Sequence, residues 1–336
     1  MKLTTKLLFI FSVLYSIGLT AQAPSKNLFI EIDVSKTGDD MIRYGRIMYD
    51  EDFKTSRKFF DGENTRTMFL DSLKSDLSLL PEAKRNTLFY IHGMWAYQWS
   101  FLKGNHKKMQ RDMWANGPNP NGMIVSIIWH CKVAYGENKE MALESGKILS
   151  PLIRQIHDIT ADASLNSETN YMIHSMGHRV FQEIWNGHLT EDMKYQAGHI
   201  LMAGADLETN AFEKGEALHH IGYLSDQILV YRHNNDRTLG VSKMLNKEDR
   251  LGMDGIRDIT AVSESITQVD VSVITDNEDP PSKFSNHRYF YMSPTIRKDI
   301  ALFFLDEEKE KIPRRKELGH ERKLMLEMPS DELEVK

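Results

Sequence analysis

Five short apolar runs limit what this chain can fold into. Residues 87–91, 123–129, 170–173, 199–203 and 226–231 are almost continuously apolar, where a half-exposed strand would alternate. That pattern belongs to strands buried on both faces. Between them lie stretches with helical periodicity. Residues 64–80 place Met68, Leu70, Leu73, Leu77 and Leu80 at three- and four-residue spacings, and Pro81 ends the run. Residues 138–160 do the same with Ala142, Leu143, Ile148, Leu149, Leu152 and Ile153, and residues 178–185 form a shorter helix. Strands alternating with helices predict a doubly wound, mostly parallel sheet with helices on both faces.

The flanks extend this plan. Residues 27–34 alternate like a strand, and residues 42–49 read as a hairpin partner across a turn at 36–40. Residues 210–219 read as a helix, and 237–245 as a helix or loop. A sixth strand falls at 267–273, and a closing helix at 295–305. No repeat or low-complexity linker divides the 336 residues, so 22–305 are expected to form one domain. Residues 306–336 are mostly charged and read as a tail, either a solvated helix or disordered, with no chemistry assigned.

The amino terminus reads as a targeting segment. Lys2 and Lys6 precede an apolar stretch at 7–19, and small residues follow at 20–23. The rival is an uncleaved anchor, but the stretch is short against the ~20 residues that a membrane span needs. The expectation is a signal peptide over 1–21, cleaved after Ala21, and a secreted or periplasmic protein with no stable membrane span. Cys131 is the single cysteine, which excludes an intrachain disulfide, and no paired Cys/His spacing offers a zinc site. A formal charge of −6 without a basic stripe argues against nucleic acid as a partner.

The chemistry is expected at the carboxyl ends of the strands, where ligands bind in open α/β sheets. Those ends carry His92-Gly93, Trp129-His130, Ser175, Asp206, Asp236 and, beyond the last strand, His287. Ser175 sits where an apolar strand turns directly into a helix, the strand-turn-helix device of a nucleophile elbow. A serine hydroxyl needs a base to attack, and a histidine base needs a carboxylate to set its tautomer. His287 is the preferred base and Asp236 the preferred acid. Asp206 competes with Asp236. The oxyanion donors would be the backbone N–H of Met176 and that of Met94 or Trp95. Trp95, Tyr97, Trp99 and Trp129 either line an acyl pocket or pack within the fold. His174 and His178 stand four apart, yet the glutamate of a zinc-protease motif is missing, so no metal is expected. No cofactor is implied.

Together these segments resemble the α/β-hydrolase superfamily, and within it a bacterial group of α/β hydrolases, over about Thr67 to Leu305. The resemblance is carried by Phe89-Tyr90-Ile91-His92-Gly93, by Ser126-Ile127-Ile128-Trp129 and by Ile173-His174-Ser175-Met176-Gly177 with Arg179-Val180. Tyr231 to Asp236, continuing through Leu239, Ser242 and Arg250-Leu251-Gly252, and Asn286-His287-Arg288-Tyr289 carry the rest. It implies an α/β-hydrolase fold and a serine hydrolase that cleaves an ester, less readily a thioester or amide, of a small-molecule or lipid-like acyl substrate. One position departs from the elbow pattern. A small residue is usual two before the serine, and Ile173 stands there. A β-branched side chain predicts a shifted turn or a displaced strand. It keeps open the alternative of a catalytically silent binding protein with this fold.

Overall fold

A computed structural model of the chain describes residues 26–49, 55–94, 99–113, 119–132, 134–306 and 312–329. The predicted signal peptide, Trp95 and Tyr97 lie outside the described residues, as does the side chain of Trp99.

The chain opens with three strands, β1 (Lys26–Ile32), β2 (Ile42–Tyr49) and β3 (Thr55–Phe59). They run antiparallel to one another in sequence order. The predicted hairpin is β1 and β2. β3 was not legible, because its short charged stretch covers only one side of an edge. Helix α1 (Thr65–Ser78) follows, then β4 (Thr87–Ile91), α2 (Trp99–Lys107) and a π-helical segment, Lys108–Met113. Next come β5 (Met123–Trp129), the long α3 (Tyr135–Thr160), β6 (Thr169–His174) and α4 (Gly177–Trp185). After β7 (His199–Ala203) and β8 (Gln227–Arg232) come α5 (Arg237–Asn246), α6 (Leu251–Asp254) and β9 (Ile266–Asp270). The chain then forms α7 (Pro280–Ser285), α8 (Tyr289–Met292), α9 (Pro294–Phe304), β10 (Arg315–His320) and β11 (Lys323–Leu326).

All eleven described strands join one sheet in the order β10-β11-β9-β8-β7-β6-β4-β5-β1-β2-β3. From β11 to β1 the neighbours are parallel. The apolar runs divide their side chains between two cores. Phe89, Ile91, Tyr171, Ile173, Ile200, Met202, Ile228 and Val230 face α1, α3 and α4. Leu88, Tyr90, Met172, Leu201, Ala203, Leu229 and Tyr231 face α9 and the π-helical segment. A period of two places successive residues on opposite faces, so a run buried on both must be apolar throughout. β4 connects outward to β5 on one side, and the chain returns to β6 on its other side. That reversal opens a crevice above the carboxyl ends of β4 and β6.

Two expectations are corrected. Residues 210–219 are not a helix. Three-residue turns follow one another there, with Glu213 N–H to Asn210, Glu216 N–H to Glu213 and His219 N–H to Glu216. Gly215 at φ +95° is incompatible with a right-handed helix. The segment after Asp306 is not a featureless charged tail either. β10 and β11 form a hairpin whose second strand runs parallel to β9 and buries Leu324 and Leu326. Buried Arg315 gives a forked pair of hydrogen bonds to Asp299 of α9, at 2.9 and 2.8 Å. The charges that suggested a tail belong to β10, an edge strand facing solvent, where charge discourages further strand pairing.

Candidate active site

The crevice above β4 and β6 is shaped by the turn at Ser175. The residue has φ +54°, in the left-handed region that a non-glycine residue occupies only under constraint. The constraint is a set of hydrogen bonds. Ser175 N–H donates to the Ala203 carbonyl of β7 at 3.1 Å, and the Ser175 carbonyl accepts the N–H groups of His178 and Asp206. The same carbonyl accepts His178 Nδ1–H at 2.7 Å. Burial, the dominant influence on His178, lowers its pKa to about 3, so the ring is neutral.

Two glycines let the loop after β4 press against this turn. A Cβ on Gly93 would stand 2.6 Å from Ser175 Cβ, and one on Gly177 would stand 2.5 Å from the His92 carbonyl oxygen. Ile173 causes neither of the expected distortions. It pairs in register with Ile91 and Met202, and its fully buried side chain lies in the core beneath α3 and α4. Its branched side chain points into the sheet's packing face, and the strain falls at Ser175 instead.

The structure brings Ser175, His287 and Asp236 together. His287 Nε2 lies 2.9 Å from Ser175 Oγ, and His287 Nδ1 lies 2.7 Å from Asp236 Oδ2. Asp236 is fully buried and caps α5, its Oδ1 accepting the Leu239 N–H at 2.9 Å. Each carboxylate oxygen therefore has one defined donor. The Asp236 bond requires the proton on Nδ1, which leaves Nε2 free to accept from the serine hydroxyl. His287 rests over Gly204, where a Cβ would stand 3.3 Å from His287 Cε1. The Gly204 N–H donates to the Tyr289 hydroxyl at 2.8 Å.

Asp206 is not part of this chain of hydrogen bonds. Its carboxylate accepts Tyr135 Oη–H at 2.8 Å and the Ser242 hydroxyl, and Arg250 Nη1 is 3.7 Å away. Fully buried Arg250 also reaches Glu208 at 3.4 Å and Glu248 at 3.3 Å, while Arg179 pairs with Glu208 at 2.6 Å. This network ties α3, α4, α5 and the loop after β7 behind the site.

His92 stacks on Trp129 with ring centroids 5.7 Å apart and accepts the Trp129 N–H at Nε2. Its Nδ1–H donates to the Gly93 carbonyl at 2.7 Å, and burial lowers its pKa to about 4. His92 thus shapes the loop that leads to Met94. Met176 follows Ser175 directly, and among the described residues its N–H has no acceptor. Trp129 is wholly buried in the core. A charged cavity of about 860 Å³, walled by Lys139, Glu208, Lys243, Lys247 and Arg257, includes none of the three residues joined at Ser175.

Residues 74–303 match the model of a family described as an alpha/beta hydrolase of unknown function, DUF900. The chain belongs to that family. Comparisons with curated proteins and with solved structures return no significant match. The DUF900 match runs from within α1 into α9 and so spans the parallel sheet and all three residues joined at Ser175. Membership agrees with the parallel sheet, the strained serine turn and the helices on both faces. Among the described residues, no helix is long and apolar enough to cross a membrane.

Two contributors were missed in the sequence. Gly204 carries a weak signal, as a glycine at the end of an apolar run. Tyr289 entered only as the last residue of the 286–289 resemblance, with no role of its own, because its contact with Gly204 depends on the fold of α8.

Proposed function

We propose that this chain is a serine hydrolase that cleaves an ester through an acyl-enzyme, with Ser175 as nucleophile, His287 as general base and Asp236 as the acid that orients it. The observation carrying this reading is the continuous chain of hydrogen bonds from Ser175 Oγ through both nitrogens of His287 to Asp236. His287 takes the hydroxyl proton as Oγ attacks the acyl carbon, then returns it to the departing alkoxide. Water, activated by the same nitrogen, releases the acid and regenerates Ser175. Buried Asp236 stabilises the imidazolium formed in each half. The negative oxygen of the tetrahedral intermediate is placed at the Met176 and Met94 N–H groups. Support for Met176 is its unengaged N–H beside the serine; support for Met94 is the approach of Gly93 to Ser175.

An ester is favoured over an amide because an alkoxide leaves with less help than an amine. The partner would be a small-molecule or lipid-like acyl compound. The basic and apolar amino terminus supports export, with removal of residues 1–21 in the periplasm or on the way out of the cell.

A fluorophosphonate probe tests the reading. Wild type should be labelled on Ser175, and Ser175→Ala should not be. A folded wild-type protein that stays unlabelled would leave a binding protein of this fold instead.

A further inference from the structure

His174 immediately precedes the serine, and the mechanism above gives it no task. Its Nε2 lies 3.0 Å from the carbonyl oxygen of His287. A carbonyl only accepts, so Nε2 carries the proton. The ring lies 4.6 Å from the His287 ring and 4.6 Å from the Phe290 ring. Its other nitrogen faces Gly93, where a Cβ would stand 3.0 Å away. One side chain thus touches the serine turn, the loop after β4 and the segment bearing His287.

Side-chain contacts hold the residues that follow His287: Arg288 pairs with Asp279 at 2.6 Å, and the buried Tyr289 hydroxyl accepts the Gly204 N–H. His287 lies between α7 and α8, outside any strand ladder, and follows Asn286 at φ +51°. Asn286 donates to the Asn235 carbonyl at 3.2 Å. Among the described residues, the His287 carbonyl receives a hydrogen bond from His174 alone.

We propose that His174 is a positioning residue: its Nε2–H, given to the His287 carbonyl, holds the His287 imidazole in line with the Ser175 hydroxyl. This rests on the serine-hydrolase reading. Burial, with the nearby His287, holds the His174 pKa well below the ordinary value, so the ring stays neutral. A neutral neighbour does not oppose the charge that His287 gains when it takes the serine proton. A phenyl ring would keep the packing but lose the donor. A buried carbonyl without a partner would then favour movement of the loop. Small displacements of a catalytic base are costly, up to roughly a hundredfold in rate for an ångström.

The test compares full-length wild type, His174→Phe and His174→Gln by fluorophosphonate labelling rate, p-nitrophenyl butyrate turnover and thermal midpoint. The Phe variant should label and turn over at least about tenfold more slowly, with KM within about twofold. The Gln variant, which retains an N–H donor, should recover most of that loss. Equal labelling of wild type and the Phe variant would overturn the proposal. So would a Gln variant as slow as the Phe variant at an unchanged thermal midpoint. Should the Phe variant not fold, His174→Met against His174→Gln supplies the same contrast of donor lost against donor kept. An unlabelled wild type would remove the hydrolase reading itself, which separates that failure from a failure of His174 alone.

Discussion

Gly93 and Ser175 lie so close that a Cβ on the glycine would stand 2.6 Å from the serine Cβ and 3.2 Å from its Oγ. Ser175 is already held at a strained φ. Gly93→Ala must therefore move the loop after β4 or the serine turn. Overpacking of this kind costs about 1–3 kcal/mol. The expected result is a lower thermal midpoint together with a loss of ester turnover of roughly a hundredfold, since the serine and the proposed Met94 donor move apart. Calorimetry and steady-state assay on the same sample check both. A variant as active as wild type would mean that the loop yields freely.

Asp236 and Asp206 are separated by what they touch. Asp236→Asn should lower turnover by about 10⁴, as expected for a triad acid that sets the histidine tautomer. Asp206→Asn should leave the hydrogen bond between His287 and Asp236 intact and act on stability, through Tyr135, Ser242 and Arg250. Kinetics and thermal midpoints of the two variants should therefore diverge. If Asp206→Asn were the more severe in turnover, the roles assigned here would be reversed.

Ile173→Ala tests the elbow from the other side. The side chain is fully buried and in strand register, so truncation should leave a cavity costing about 2–5 kcal/mol. Activity per folded molecule should not rise, because Ile173 is not what strains the turn. Denaturant midpoints and labelling rates report the two quantities separately. Faster labelling would show that crowding at Ile173 does restrain the serine.

Glu208 supplies a pH dependence. Burial raises its pKa, but the Arg179 hydrogen bond and charge, with the charge of Arg250, outweigh burial and hold it at about 2. The folded value lies below the ordinary 4.5, so the native state favours the carboxylate. Its stabilising contribution is complete above about pH 4.5 and is lost as pH falls toward about 2. Glu208→Gln should destabilise the protein at neutral pH and flatten the fall in stability across that interval. Urea titrations at several pH values measure the slope. An unchanged slope would place the acid sensitivity elsewhere.

The sheet was legible because strands covered on both faces cannot hide their composition, as residues 87–91 and 123–129 illustrate. The serine turn was legible because strand, serine and helix adjoin. Asp236 and His287 could be chosen because parallel strands send their carboxyl ends to one edge of the sheet. What escaped depended on contacts distant in sequence. Asp206 and Asp236 both follow apolar strands, and only the hydroxyls of Tyr135 and Ser242 show where Asp206 is engaged. Ile173 resembled an obstacle because a pattern of residue sizes does not reveal which face receives the side chain. Residues 210–219 had the composition of a helix, but Gly215 adopts a backbone angle that ends one.

The hairpin of β10 and β11 moves the limit of the folded unit well past the place where charge begins to dominate. β11 covers the main-chain edge of β9, and Arg315 satisfies Asp299, which also accepts the hydroxyl of Tyr231 in the neighbouring strand β8. A chain shortened at the end of α9 would retain all three residues joined at Ser175. It would also expose a parallel strand edge to other molecules and leave an acidic group without its cation deep in the protein. The last turn of sheet therefore acts as a seal on the fold, which continues past Leu305 through Leu326.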